Sequence, residues 1–325
     1  MKYDLRLNTV IDARSAGKTL VLAIAERFSY HPVSFWQAKI DDGQILINGK
    51  KAFSEQILEE GDDLCFEIPD FEEPDIDSDY QTIWRNDFLL LVNKPAGLPV
   101  HSTRRFYHQT LIASIRRNEG SADINPLQRL DRETSGLMFL CWTSLAPRKL
   151  KKNFKDYLTG KFYLAVVRGH FPWEKTVVDQ PLKESLTPPV RYKMLVAEDG
   201  KPASSIFFRL NSDDECSLLL IKLETGRKHQ IRAHLEHLGH SLIGEKLYYK
   251  EGYYFLKRCD DDLSDSDLME LGSKNHLLHA YAVKTSFPGH EPQTFFASRT
   301  SEEFSNFLQR FPGWQEAAKA IIEEN

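Results

Sequence analysis

Leu127-Gln128-Arg129-Leu130-Asp131-Arg132-Glu133-Thr134-Ser135-Gly136-Leu137-Met138-Phe139-Leu140 holds one carboxylate, Asp131, between two arginines and then turns apolar. The apolar run, residues 137–142, has the length and continuity of a buried strand. The stretch therefore reads as a charged loop feeding a sheet. Flanking cations keep an aspartate ionised and lower its pKa, which suits a nucleophile or a base rather than a general acid. An aspartate capping a turn would show the same local spacing, so these residues alone leave catalysis and turn capping both open.

Working outward, further strands are expected at residues 88–92, 161–169, 191–197, 204–210, 217–223 and 277–285. Helices are expected at 110–117, 144–158, 227–238, 301–311 and 314–323. Many strands in succession with few helices predict an α+β fold, a large mixed or antiparallel sheet flanked by helices. Residues 1–68 read as a separate small α+β domain. There Leu20, Ile24 and Phe28 recur at helical spacing, and Ser34 is placed to cap a second helix through Trp36 and Ile40 to Asp42. Gly43 ends that helix, residues 44–47 alternate as a strand, and Asn48-Gly49 and Gly61-Asp62 are turn signals before a strand at 64–68. Residues 69–80 are acidic, with Pro69 and Pro74, and read as a linker. The second domain is expected to fill residues 81–325.

The net charge of −5 argues against a nucleic-acid partner only if it is evenly spread, and it is not. Asp70, Glu72, Glu73, Asp75, Asp77 and Asp79 form one acidic cluster, and Asp260, Asp261, Asp262, Asp265, Asp267 and Glu270 form another. Setting those 12 of the 47 acids aside leaves 35 against 42 bases, so a basic face is available elsewhere. The clusters themselves read as solvated loops. No apolar run approaches the roughly 20 residues that span a bilayer, and the first residues lack the apolar core of a signal peptide, so a cytoplasmic protein is expected. Cys65, Cys141, Cys216 and Cys259 are far apart, with no CxxC pair, and are expected to be reduced thiols. His229, His234, His237 and His240 follow no metal-ligand spacing, so packing or RNA contact is expected of them and no metal.

Four separated segments resemble the pseudouridine synthase family of the large-subunit-ribosomal-RNA type. They are Asn93-Lys94-Pro95-Ala96-Gly97, Arg129-Leu130-Asp131-Arg132-Glu133-Thr134-Ser135-Gly136, Lys161-Phe162-Tyr163-Leu164-Ala165, and Thr225-Gly226-Arg227-Lys228-His229-Gln230-Ile231-Arg232, continuing to Gly244. Leu278-His279-Ala280 also fits, so the match covers most of residues 81–290. The resemblance implies cleavage of the bond between uracil N1 and ribose, rotation of the base, and reattachment through C5, with no cofactor and no metal. It makes Asp131 the nucleophile or base, at the ribose or at the uracil ring. It makes Arg232 the partner that orients Asp131, and Tyr163 the residue that stacks on the flipped uracil and carries a proton. Arg129 is expected to contact RNA and help hold the target nucleotide out of its stack. Lys94, before Pro95, is read as a turn residue outside the catalytic set.

Residues 1–68 resemble the ribosomal-protein S-four-type RNA-binding domain through Ile40, Gly43, Ile45, Ile47-Asn48-Gly49-Lys50 and Gly61-Asp62. That resemblance implies phosphate contacts from Lys39, Lys50 and Lys51. Two departures stand out: Phe35 where the family usually has Arg, and Gln128 where the larger domain's family commonly has His. They motivate an alternative, a non-catalytic RNA-binding or ribosome-assembly protein on the same fold. The expected partner is structured RNA, ribosomal or transfer, bound by a monomer.

Overall fold

The computed structural model describes residues 2–28, 31–103, 105–121, 123–185, 193–260 and 263–325, which fall into two compact units, 1–75 and 76–325. In the first, β1 (Lys2–Val10) precedes helices α1 (Leu20–Arg27) and α2 (Val33–Asp41) and strands β2 (Ile45–Ile47), β3 (Lys50–Lys51) and β4 (Asp63–Glu72). The sheet order is β1-β4-β2-β3. Leu20, Ile24, Trp36, Ile40, Ile45, Ile47 and Leu64 form its core, in keeping with their helical and alternating spacing.

Three expectations for this unit are corrected. β1 is a strand that the sequence reading left out, although Tyr3, Leu5, Leu7 and Thr9 alternate; it pairs antiparallel with β4 along nearly its whole length. Pro32, not Ser34, precedes α2, its fixed φ admitting the helix one residue later. The acidic stretch 69–80 is not simply a linker. Pairing with β1 carries β4 through Glu72, and Glu73 is buried, accepting a hydrogen bond from the Tyr3 hydroxyl at 2.7 Å.

The second unit opens with β5 (Gln81–Arg85), β6 (Leu89–Lys94), α3 (Leu111–Glu119), β7 (Asn125–Pro126) and β8 (Ser135–Cys141). Next come α4 (Arg148–Asn153), a 3-10 turn over Phe154–Tyr157, β9 (Leu158–Arg168), β10 (Lys175–Asp179), β11 (Leu182–Glu184), β12 (Met194–Val196), β13 (Ser204–Ser212) and β14 (Cys216–Leu223). It closes with α5 (Gln230–His237), α6 (Tyr253–Asp260), α7 (Asp265–Leu271), β15 (Leu278–Thr285), β16 (Gln293–Phe296), α8 (Glu302–Leu308) and α9 (Trp314–Glu324). Ten strands make one mixed sheet, with the path β10-β13-β14-β9-β15-β8-β6-β5; β16 pairs with β15 and β7 with β8. All of its pairings are antiparallel except β15 beside β8.

The central strands read as unbroken apolar runs because both faces are covered. On β9, Phe162, Leu164 and Val166 face a core that includes Phe304, Leu308 and Ile322 of α8 and α9. Tyr163, Ala165 and Val167 face the opposite core, closed by Ile231 and Leu235 of α5. That alternation puts Tyr163 on the α5 side. The parallel contact of β8 with β15 needs a glycine: a Cβ on Gly136 (φ +104°) would lie 2.3 Å from the Ala280 carbonyl oxygen.

Helix boundaries shift for local reasons. The helix expected at 144–158 is reduced to α4, because Pro147 serves as its N-cap and the chain tightens into a 3-10 turn after Asn153. Residues 227–229 form a turn before α5, with His229 left-handed at φ +52°. In the strand expected at 191–197, residues 191 and 192 lie outside the described residues, and β12 is shorter. Asp265, Asp267 and Glu270 sit on α7, not a loop, with Ser264 and Asp267 forming a capping box; Asp261 and Asp262 lie outside the described residues.

Candidate active site

Asp131 lies on the loop between β7 and β8, at a cleft of about 140 Å³. Arg129, Tyr163, Arg227, Lys228, His229 and Arg232 also line this cleft. The structure therefore brings together Asp131, Tyr163 and Arg232, from loop, strand and helix, with Arg129 at the exposed edge. Lys39 on α2 and Lys50 and Lys51 on β3 belong to the other unit; Lys50 and Lys51 are exposed, and Lys39 lies over the Phe35 ring, 5.6 Å from its centroid.

Arg232 is the fixed point of the site. Its Nη1 donates to Asp131 Oδ2 at 2.8 Å, while Nε and Nη2 each donate to Glu245 at 2.7 Å. Glu245 also accepts the backbone N–H of Leu247 at 2.8 Å and is only 1 % exposed. A fork-to-fork pair of this kind fixes the guanidinium plane, and that plane sets the orientation of Asp131. Burial resists ionisation of Glu245, but Arg232 outweighs it and holds the carboxyl down at about 2. Burial likewise opposes the charge on Arg232, and Glu245 and Asp131 together keep it firmly protonated.

Asp131 experiences the same contest. Burial raises its pKa, yet His229, Arg232 and His276 pull it well below the usual carboxylate range. Burial drives His229 and His276 themselves down to about 4, so near neutral pH both rings are uncharged and Arg232 is the cation that keeps Asp131 ionised. His229 Nε2 lies 3.6 Å from Asp131 Oδ1, too long for a hydrogen bond. Burial, and then the charge of Asp131, push the Tyr163 phenol up to about 12. Tyr163 thus keeps its proton beside a permanent carboxylate.

The loop that carries Asp131 is clamped from several sides. Lys94 is fully buried, and its ammonium donates to the carbonyls of Pro95, Leu98 and Arg132 at 2.9–3.0 Å. Burial lowers the pKa of Lys94 to about 7, with Asp131 pulling it back up. Thr134 and Ser135 hydrogen-bond His276 and His279, each at 2.8 Å. Glu133 faces Lys246, Arg258 and Arg132 within 3.1 Å and accepts the backbone N–H of His276 at 3.2 Å, so it is held as an anchor. Gln128 accepts the Phe139 backbone N–H at 3.0 Å and so braces the loop onto β8 without any titrating group.

The four histidines diverge. His234 is buried against Ser205 and the Gln180 carbonyl, His237 is exposed, and His240 approaches the Arg168 carbonyl. Among the described residues no group of three or more His, Cys, Asp or Glu could hold a metal ion. Sequence reasoning missed Glu245, His276 and the clamp made by Lys94. Lys94 lay inside a quoted segment, but Glu245 and His276 belong to no periodic pattern.

Residues 88–237 match the family described as RNA pseudouridylate synthase. Over 211 residues the chain is 35% identical to the dual-specificity RNA pseudouridine synthase RluA of Vibrio parahaemolyticus, covering 63% of this chain and 83% of that protein. The chain belongs to the RNA pseudouridylate synthase family. It is also 31% identical over 280 residues to the mitochondrial tRNA pseudouridine(32) synthase of Saccharomyces cerevisiae, covering 84% of this chain and 60% of that protein. It covers 45% of human pseudouridylate synthase RPUSD2, and so spans about half the length of these two relatives. The solved structure of human RNA pseudouridylate synthase domain containing 4 superposes with a TM-score of 0.53 at 24% identity, over 71% of this chain and 92% of that one, which shows a shared fold.

Proposed function

We propose that this protein isomerises uridine to pseudouridine in structured RNA, transfer or ribosomal, with Asp131 as the nucleophile or base. The observation that carries this is the Asp131–Arg232–Glu245 chain at the floor of a cleft that Tyr163 also lines. A carboxylate held ionised and aimed by a buried guanidinium can attack carbon or take a proton; it cannot act as a general acid near neutral pH. The N1–C1′ bond breaks, the uracil turns while bound, C5 bonds to C1′, the C5 proton leaves, and the freed N1 takes up a proton. Nothing is oxidised and no atom is lost overall. Tyr163, protonated and against the cleft, is placed to stack on the base and to relay that proton. Arg129 at the edge supports contact with the RNA around the extruded nucleotide, and in the N-terminal unit Lys39, Lys50 and Lys51 support phosphate contacts by a monomer.

Gln128 favours catalysis over a retired, purely binding role, since it braces the loop as a structural acceptor. A glycosidase would need a second working carboxylate, and Glu133 is bound up with three cations. The test is chemical mapping of pseudouridine after incubation with unmodified transfer and ribosomal RNA. Wild type is expected to form product and Asp131→Asn none, with RNA binding retained. Full activity in Asp131→Asn, or release of free uracil, would overturn the assignment.

A further inference from the structure

Between β8 and β9 the chain reads Arg148-Lys149-Leu150-Lys151-Lys152-Asn153-Phe154-Lys155, five cations in eight residues with no acid. Leu150 and Phe154, one turn apart, pack into the core around Phe139, and Phe154 is only 2 % exposed. That anchoring fixes the rotation of α4 and of the turn behind it. With the apolar pair inward, Arg148, Lys149, Lys152 and Lys155 are exposed and Lys151 is half-buried. A solvated helix face ordinarily interleaves acids three or four residues from its bases. The turn carries one acid, Asp156, exposed and four residues after Lys152, yet none of the five cations has an ion-pair partner among the described residues, whereas Arg85, Arg258 and Arg310 each meet a carboxylate within 3.0 Å.

The cations continue toward the cleft. The turn that carries Lys155 runs directly into β9, on which Lys161 and then the cleft-lining Tyr163 follow. The Lys161 ammonium donates to the Thr225 carbonyl at 3.3 Å, beside Gly226. The next two residues, Arg227 and Lys228, line the cleft with Asp131. α4, its following turn, β9 and the Thr225–Lys228 segment that lines the cleft thus follow one another within one unit of the fold. α4 itself is about 9 Å long, a short surface against one stretch of backbone.

We propose that α4 and the turn after it form a phosphate-binding surface for the RNA backbone flanking the target uridine. This rests on the uridine-isomerase reading of the adjoining cleft. Four of the five cations are lysines, point charges without the planar fork that reads a base edge. The surface therefore sets where the RNA lies and adds affinity without choosing sequence.

The experiment compares the full-length protein with a variant combining Lys149→Gln, Lys152→Gln and Lys155→Gln. A control variant removes the same charge elsewhere, at Lys201, Lys274 and Lys319, all exposed. Binding to unmodified transfer RNA and to a ribosomal RNA fragment is measured across salt, and pseudouridine formation gives kcat and KM. The α4 variant is expected to bind at least tenfold more weakly, with a salt slope shallower by about two, KM raised and kcat unchanged. Its thermal unfolding should match wild type, and the control should match wild type throughout. An unchanged affinity and salt slope, or an equal loss in the control, overturns the proposal. Charge-dependent binding of α4 to phosphatidylserine vesicles with no effect on RNA would also overturn it. If wild type forms no pseudouridine while RNA binding changes as expected, the isomerase reading fails and the surface stands.

Discussion

Glu245 shows how a buried residue outside the cleft lining can set the orientation of a side chain within it. Its carboxylate takes two of the three hydrogen bonds that fix Arg232, and Arg232 in turn orients Asp131. Removing one member of a buried ion pair strands the other charge, at a cost of about 3–5 kcal/mol. Glu245→Gln keeps the shape and drops the charge, so kcat is expected to fall at least tenfold while RNA affinity holds. Single-turnover kinetics beside RNA titration checks this; a drop in affinity with kcat preserved would show that Glu245 serves RNA docking instead. Asp131 stood out in the sequence because two arginines flank it and because it lies within one of the four segments that resemble the family. Glu245 was not, because the residue that gives it meaning lies 13 positions upstream on a helix whose buried face no local pattern announces.

At the scale of elements, the site depends on a parallel contact in a sheet that is otherwise antiparallel. β15 returns beside β8, bringing His279 opposite Ser135 and Ala280 opposite Gly136. Only a residue without a Cβ fits there, at φ +104° and 2.3 Å from a carbonyl oxygen. Gly136→Ala is expected to cost more than about 3 kcal/mol, through both close contact and backbone strain. Denaturant unfolding of the soluble fraction measures it, and a loss under 1 kcal/mol would mean that β15 can move aside. The strands themselves were legible as apolar runs, and β9 placed Tyr163 by simple alternation. What periodicity left out was β1, the shorter or outer strands β5, β7, β10, β11 and β16, the helices α6 and α7, and the shortening of the helix at 144–158. β1 is largely exposed and becomes a strand through pairing with β4, and Pro147 outranks helical spacing for α4.

For the molecule as a whole, buried histidines near the site set the acid limit of stability. Burial lowers His229 and His276 to about 4 and His279 to about 3, against an ordinary value of 6.5. Below pH 6.5 the unfolded chain takes up protons that the folded rings refuse, so stability falls as the pH drops from 6.5 toward 4. By pH 5 each of the three has contributed a loss of about 2 kcal/mol. The carboxylates act later. Glu245, held at about 2, adds stability above its unfolded value near 4.5 and loses it between 4.5 and 2. Urea midpoints are therefore expected to decline between pH 7 and 5, before carboxylates titrate. The double variant His276→Asn, His279→Asn should flatten that decline whatever its absolute stability. A flat wild-type profile over this window would contradict the burial argument.

The sequence by itself determined the α+β class and the central strands, because apolar runs and alternation are local and the chain writes them in order, while Asp131, Tyr163 and Arg232 were singled out by the motifs that resemble the family. Charge composition also left room for a basic face despite a net charge of −5. Only the tertiary structure decided that Arg232 is held by Glu245, that Lys94 clamps the loop, and that Gln128 is a brace. These roles exist through contacts that follow no helical or strand period, from Gln128 with Phe139 at 11 positions and Arg232 with Glu245 at 13 to Lys94 with Arg132 at 38, so no repeat in the sequence announces them. The loop around Asp131 reads as charged from its letters; it is the fold that makes the charge permanent and gives it a direction.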